Sequence, residues 1–197
     1  MKKLFTLLFV FVLATEFTFS QTFGLKLGFN SSAIGVSDDD LLPDDQQARA
    51  GFQIGGLAVI EVSDIADFRT GLTYTQKGAT WDVDGSSSDV VFALDYLEVP
   101  LDFAFKIGDN GFSLNAGSYL AFLLGAELRF DGESDDAEDI SAMDFGLDFG
   151  ASYLINETIL LDIKYGMGLG NLIDDDDVDG TALNGALQFS VAYVFNN

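Results

Sequence analysis

The sequence predicts an all-β fold: an eight-stranded antiparallel up-and-down transmembrane β-barrel. Three observations carry that expectation. Segments of 9 residues or more alternate large apolar with small or polar side chains, which is the period of a strand with two unlike faces. Short and long connections between these segments alternate strictly, as they do in outer-membrane barrels. Finally, the chain has a net charge of -23 and yet 48% hydrophobic residues. Acidity of that kind ordinarily goes with disorder, so acids and apolar residues must occupy different places.

Composition narrows the function classes. The 197 residues suffice for one domain. Without Cys there is neither a disulfide framework nor a thiolate metal site. Without His, hydrolysis by a Ser-His or Asp-His pair is excluded. Gly (21) and Phe (19) are abundant and Pro (2) is scarce, which suits long barrel strands. The strong negative charge excludes a nucleic-acid partner.

Residues 1–20 read as a signal peptide. Met1-Lys2-Lys3 is a basic start, Leu4 to Ala14 is an apolar run, and Thr18-Phe19-Ser20 places small residues before a cleavage after Ser20. A membrane anchor is the alternative, but the run is short of the ~20 residues a spanning helix needs. The mature barrel domain is then residues 21–197.

The first strand, Thr22–Asn30, sets Phe23, Leu25, Leu27 and Phe29 against Thr22, Gly24, Lys26 and Gly28. An acidic loop with Asp38-Asp39-Asp40 and Asp44-Asp45 follows. The second strand, Ala50–Val62, and the third, Asp67–Trp81, are joined by a short turn at Ser63–Ala66. A polar loop from Asp82 to Val90 leads to the fourth strand, Ala93–Ile107. There Pro100 cannot donate to the ladder, which predicts a bulge. Leu94 and Tyr96 are bulky residues out of phase, so the early part of that strand is expected above the membrane. Gly108-Asp109-Asn110-Gly111 is a hairpin turn to the fifth strand, Phe112–Phe130. The acidic loop Asp131–Ser141 precedes the sixth strand, Ala142–Ile155. Asn156-Glu157-Thr158 turns into the seventh, Ile159–Asn171. The eighth, Leu183–Phe195, is the most regular. It sets Leu187, Phe189, Val191, Tyr193 and Phe195 against Ala186, Gln188, Ser190 and Ala192, and it must pair with Phe23–Phe29 to close the barrel.

Charge fixes which face is outside. Lys26, Arg69, Lys77, Lys106, Arg129 and Lys164 fall on the small polar face, with Glu61, Glu98, Asp102, Glu127, Asp144, Asp148 and Asp162; Arg49 alone falls elsewhere. A narrow interior can hold these as paired charges, whereas a Lys or Arg facing lipid costs about 2–4 kcal/mol at the midplane. A soluble lipocalin-like barrel would place its apolar face inward. Here the apolar face is the bulkier one and the other is rich in Gly, Ser and Asn, as the inside of a small barrel requires.

The mature chain resembles the PorT-like outer-membrane β-barrel family of the Bacteroidota. The resemblance rests on Ser20-Gln21, Phe23-Gly24-Leu25-Lys26-Leu27-Gly28, Tyr193-Val194-Phe195 and, most specifically, Tyr96-Leu97-Glu98-Val99-Pro100-Leu101. It implies a fold and an outer-membrane location, and no activity.

Candidate chemistry is sparse. Asp175-Asp176-Asp177-Val178-Asp179-Gly180 begins like a calcium loop, but the bidentate Glu needed at position twelve is Ala186, so a solvated acidic loop is the leading reading of Asp174 to Asp179. The four long loops hold 19 acids, whose repulsion Ca²⁺ or Mg²⁺ would relieve. Asp144, Asp148 and Asp162 beside Lys164 are carboxylates on the interior face, read as a salt-bridge network ahead of an acid–base site. Trp81, Tyr74, Tyr165 and Tyr193 read as an interfacial girdle. Gly166, Gly168 and Gly170 make room inside the barrel. No catalytic, cofactor or metal residue is expected. The role expected is structural or surface-interacting in the cell envelope, with outer-membrane lipid, divalent cations and an envelope or extracellular protein as partners. A narrow channel, or a component of a secretion or transport assembly, is the alternative.

Overall fold

Lipid-facing strands must satisfy every backbone hydrogen bond by pairing, so the sheet has to close, and it does. The structure, a computed structural model, describes residues 21–37, 46–82, 89–174 and 180–195. The expected signal peptide and the Asp175–Asp179 run lie outside the described residues. The strands are β1 (Gln21–Val36), β2 (Gln46–Ser63), β3 (Ala66–Trp81), β4 (Val90–Lys106), β5 (Phe112–Phe130), β6 (Glu133–Asp136), β7 (Met143–Ile155), β8 (Ile159–Gly168) and β9 (Ala182–Phe195). Each pairs antiparallel with its neighbour, β4 pairs with β5, and β9 pairs with β1. The seam runs from Phe23–Phe195 to Val36–Ala182 and contains the expected pairing of Phe23–Phe29 with the last strand. β6 is an addition to the eight-stranded barrel. It folds back on the end of β5, with Glu127 opposite Asp136 and Phe130 opposite Glu133.

The alternation decides what each face meets. Phe23, Leu25, Leu27 and Phe29 of β1 and Phe189, Val191, Tyr193 and Phe195 of β9 all stand exposed on the outside. Their neighbours Lys26, Asn30, Gln188, Ser190 and Ala192 are buried inside. The turn between β7 and β8 places both Asn156 (φ 49°) and Glu157 (φ 59°) in the left-handed region, as the tightest hairpin turns require.

Several boundaries differ from expectation. β1 runs on to Val36 and β2 begins at Gln46, because strand pairing continues where the outward face no longer has to be apolar. β8 stops at Gly168; both Leu169 and Gly170 then donate to the Phe145 carbonyl (2.8 and 3.2 Å), which turns Leu172 inward. Pro100 causes no bulge. The β3–β4 register is the same at Thr70–Leu101 and Thr73–Glu98, and only the rungs between them are missing, as follows from the lost N–H. The irregularity lies instead between Asp95 and Tyr96, which face Gly125 and Leu123 of β5, leaving Leu124 as the extra residue. Leu94 and Tyr96 are not out of phase. Both are fully buried and point into the barrel.

The outward face of β9 predicts a direct test. Phe189 pairs with Phe29 and Ile163 in mid-strand. Phe189→Lys should destabilise the folded barrel by about 2–4 kcal/mol, measured by urea titration of the protein refolded into lipid vesicles.

Candidate functional site: a charged interior beneath an apolar lid

Strands tied to lipid on one side leave the interior as the place for their polar chemistry. At the end of the long loops the interior is closed by an apolar lid. Ile34 of β1, Trp81 of β3, Leu94 and Tyr96 of β4, Tyr119 of β5 and Leu172 of the β8–β9 loop pack into one buried cluster. Leu172 is held there by backbone bonds in two directions: its N–H donates to Ala182 O (2.8 Å), and its carbonyl accepts from Ser141 N (2.9 Å). Asn171 secures the same loop, its Oδ1 accepting from Ala182 N (2.9 Å) and its carbonyl accepting from Ser141 Oγ (2.7 Å). Ser37 N donates to Thr181 O, and Asp174 N to Asp139 O, so the bases of three acidic loops are knitted together over the barrel mouth.

Beneath the lid the charges are arranged in tiers. Lys77 forms the upper tier: its Nζ lies 2.9 Å from Glu98 and 3.7 Å from Asp144, and 4.0 Å over the ring centre of Tyr119. Asp144 also accepts from the Tyr119 hydroxyl (3.1 Å) and from Asn184 Nδ2 (3.0 Å). In the middle tier Lys164 bridges Asp102 (2.9 Å) and Asp148 (3.1 Å). Lower down, Arg69 Nη1 donates to Ser152 (2.6 Å), and Asn115 donates to Asp162 (2.7 Å). At the mouth on the side of the short turns, Lys106 joins Asp67 (2.8 Å) and Glu61 (3.5 Å). Glycine makes the tiers possible. A Cβ on Gly117 would sit 2.5 Å from an Asp102 carboxylate oxygen, and one on Gly146 2.6 Å from the Tyr119 ring.

The expected site residues are thus partly brought together. Asp148 and Lys164 pair as a network predicts, while Asp144 belongs to Lys77 and Asp162 to Asn115. Among the described residues no group of three acidic side chains is placed to hold a metal ion. Tyr165 and Tyr193 face outward, each about half exposed. Tyr74 is on the outside as well, but donates to Asp95 (2.7 Å), which Gln76 also reaches (3.3 Å). Trp81 is not a girdle residue: it is 6% exposed, inside the lid. Its position gives the reason, because Lys77, Ala79 and Trp81 share the inward phase of β3.

Two charge placements also need correction. Arg49 is interior, buried, with Nη1 donating to the Lys77 carbonyl. The strand starts early enough to include it, and Arg49, Gly51 and Gln53 alternate inward in a way the sequence already displays. Glu127 and Arg129 are not interior. The extra residue at Leu124 reverses the phase of β5, so Ala126 turns toward the lid. Glu127 and Arg129 pair with each other at 2.8 Å, both more than two-fifths exposed.

The sequence profile of the family described as outer membrane protein beta-barrel domain matches residues 19–174. Among solved structures, neisserial surface protein A is 16% identical with a TM-score of 0.60, over 89% of this chain and 99% of that one. Ail, the attachment invasion locus protein of Yersinia pestis, is 16% identical with a TM-score of 0.47, over 89% and 99%. OprG of Pseudomonas aeruginosa is 15% identical with a TM-score of 0.45, over 91% and 98%. At such identities the likeness to the neisserial protein speaks for the fold. No curated protein matches the chain.

Removing one partner of a buried ion pair strands the other. Lys77→Met should therefore cost about 3–5 kcal/mol, with Lys77→Met/Glu98→Gln recovering a large part, read by the same urea titration in vesicles.

Proposed function

The chain belongs to the outer membrane protein beta-barrel domain family and resides in the outer membrane, and from that premise we propose that it acts as a sealed structural and surface-interaction barrel rather than as an enzyme or an open pore. The observation that carries this reading is the double closure of the interior. An apolar lid of Trp81, Leu94, Tyr96 and Leu172 lies over a tier in which Lys77, Glu98 and Asp144 are 0–1% exposed. An ion crossing the barrel would have to break the pairs of Lys77 and Lys164 and then pass apolar side chains, each step costing desolvation.

The working surface is then the loop end. Its acidic loops spring from bases that are fixed to the lid. The partners this arrangement suits are divalent cations, the outer-membrane lipid around the rim, and an envelope or extracellular protein with complementary positive charge. The finer assignment to the PorT-like group draws support from Tyr96-Leu97-Glu98-Val99-Pro100. Tyr96 contributes to the lid and Glu98 is the closest partner of Lys77, so the motif supplies both layers of the closure.

Two measurements test the reading. In planar bilayers the protein should give no steady discrete conductance; regular unitary steps would replace the sealed barrel with a channel. Trp81, the single tryptophan, reports on the lid directly. Its emission should be blue-shifted and protected from iodide, and Leu172→Asp should make it quenchable. Equal quenching in both proteins would show that Leu172 does not close the barrel.

A further inference from the structure

The barrel wall continues beyond the lid at one place. β5 pairs with β7 only as far as Phe122 and takes up β6 from Glu127, while β4 stays paired with it up to Val91. β4, β5 and β6 thus form a flap above the loop-side mouth. β6 is the last strand of the sheet, and among the described residues nothing pairs with its far side.

The hairpin geometry decides what that edge offers. Asp131 (φ 48°) and Gly132 (φ 85°) make a two-residue turn with both residues in the left-handed region. Phe130 and Glu133, which flank it, are then a hydrogen-bonded pair, and so are Leu128 and Asp135. Ser134 and Asp136 fall between, so their N–H and C=O groups point away from β5 to the open edge. Such an edge is a template for a further strand.

Side chains beside the edge define what strand it suits. Leu128 lies opposite Phe92 and shares the face that Phe92 and Ala126 turn to the lid. Beyond the lid this face is open: Leu128 is 47% and Phe130 44% exposed. Their partners across the hairpin, on the same face, are Asp135 and Glu133. Apolar surface bordered by carboxylates suits Lys and Arg, whose stems bury on apolar groups while the charged head meets an acid. The same carboxylates disfavour self-pairing. The β6 of a second copy, or the Asp175-Asp176-Asp177 run of this chain, would set acid directly opposite acid along the new ladder.

We propose that the open edge of β6 is a docking site for an extended basic segment of another protein, added to the flap as its next strand. Ser134 and Asp136 supply the backbone hydrogen bonds. Glu133 and Asp135 select basic side chains, whose stems lie toward Leu128 and Phe130. This deepens the surface-interaction reading by naming the partner's chemistry and its mode of attachment, and the seal of the barrel does not enter it.

An eight-residue peptide of alternating Lys and Thr tests the site on the full barrel in phosphatidylcholine nanodiscs, read by fluorescence anisotropy. It should bind saturably with a Kd of about 100 μM or tighter. The same peptide N-methylated at every residue keeps its charge but has no backbone donor, and should bind about tenfold more weakly. Ser134→Pro removes one outward N–H and leaves the β5–β6 ladder intact. It should weaken the unmethylated peptide severalfold with heat-modifiable gel mobility unchanged; if that variant does not fold, the peptide pair decides. Equal binding of the two peptides would show that loop charge alone recruits them, so the surface-interaction reading would stand and the docking edge would fall. Absence of saturable binding by the unmethylated peptide, or no effect of Ser134→Pro in a folded barrel, would also overturn the proposal.

Discussion

A wall one strand thick with lipid against its outer side leaves no neutral place for a charge, and the rest of the structure depends on that constraint. Every ionisable side chain in the lipid-facing part must point inward, into a cylinder whose width is set by eight strands. Once there it has to be paired, because water cannot reach it. Lys26, Arg49, Arg69, Lys77 and Lys164 are met inside by Glu98, Asp102, Asp144, Asp148 and Asp162. The balance is local as well as total. Lys164 lies between two aspartates, and Lys77 between Glu98 and Asp144. Polar contacts between facing walls tie together strands far apart in sequence: an ion pair of Asp102 and Lys164 joins β4 to β8, and a hydrogen bond from Arg69 to Ser152 joins β3 to β7.

The small residues are the other side of the same constraint. Tyr119 can lie across the barrel because Gly146 leaves space under its ring, and Asp102 can turn toward Lys164 because Gly117 stands opposite it. Composition therefore follows geometry. Large side chains are outside, where lipid accommodates any shape. Glycine, serine and asparagine are inside, where each volume must fit its neighbour.

Most of this was legible from alternation, since inside and outside differ chemically along the lipid-facing strands. The seam between Phe23–Phe29 and the last strand, the outward Tyr165 and Tyr193, and the inward Asp148 and Lys164 all follow from parity. Parity fails where it shifts or where its chemical contrast fades. Leu124 adds one residue to β5, and Glu127 and Arg129 end up on the opposite side from where counting puts them. Above that point both faces of the sheet carry polar groups, so Arg49 and the extensions of β1 and β2 gave no outward apolar signal. Trp81 and Leu94 fail differently. Their parity was inward, but their size and hydrophobicity suggested lipid or headgroups. What the pattern lacked was the lid, which needs Leu172 from a loop and so cannot be read from any strand alone. The cavity at the turn end was equally invisible, because Asp64, Arg69, Asp109 and Glu157 line it only when three hairpins close into a ring.

The position of the lid bears on how the acidity is distributed. The interior charges balance, so the excess negative charge belongs to the loops and the turn-side rim. At the loop end this charge is separated from the buried pairs by apolar side chains, and a low-dielectric layer without mobile ions screens poorly. The tiers nearest the lid are therefore the ones on which loop charge acts most strongly, and they are arranged for it. Lys77 sits immediately beneath the lid and is shared by two carboxylates and two aromatic rings. A cation placed there is favoured both by its partners and by the acidic loops above. The reverse order, with Asp144 or Glu98 uppermost and unpaired, would set buried and loop carboxylates against each other. The interior sequence is thus matched to the sign of the loops, and the two parts of the chain are coupled through the field.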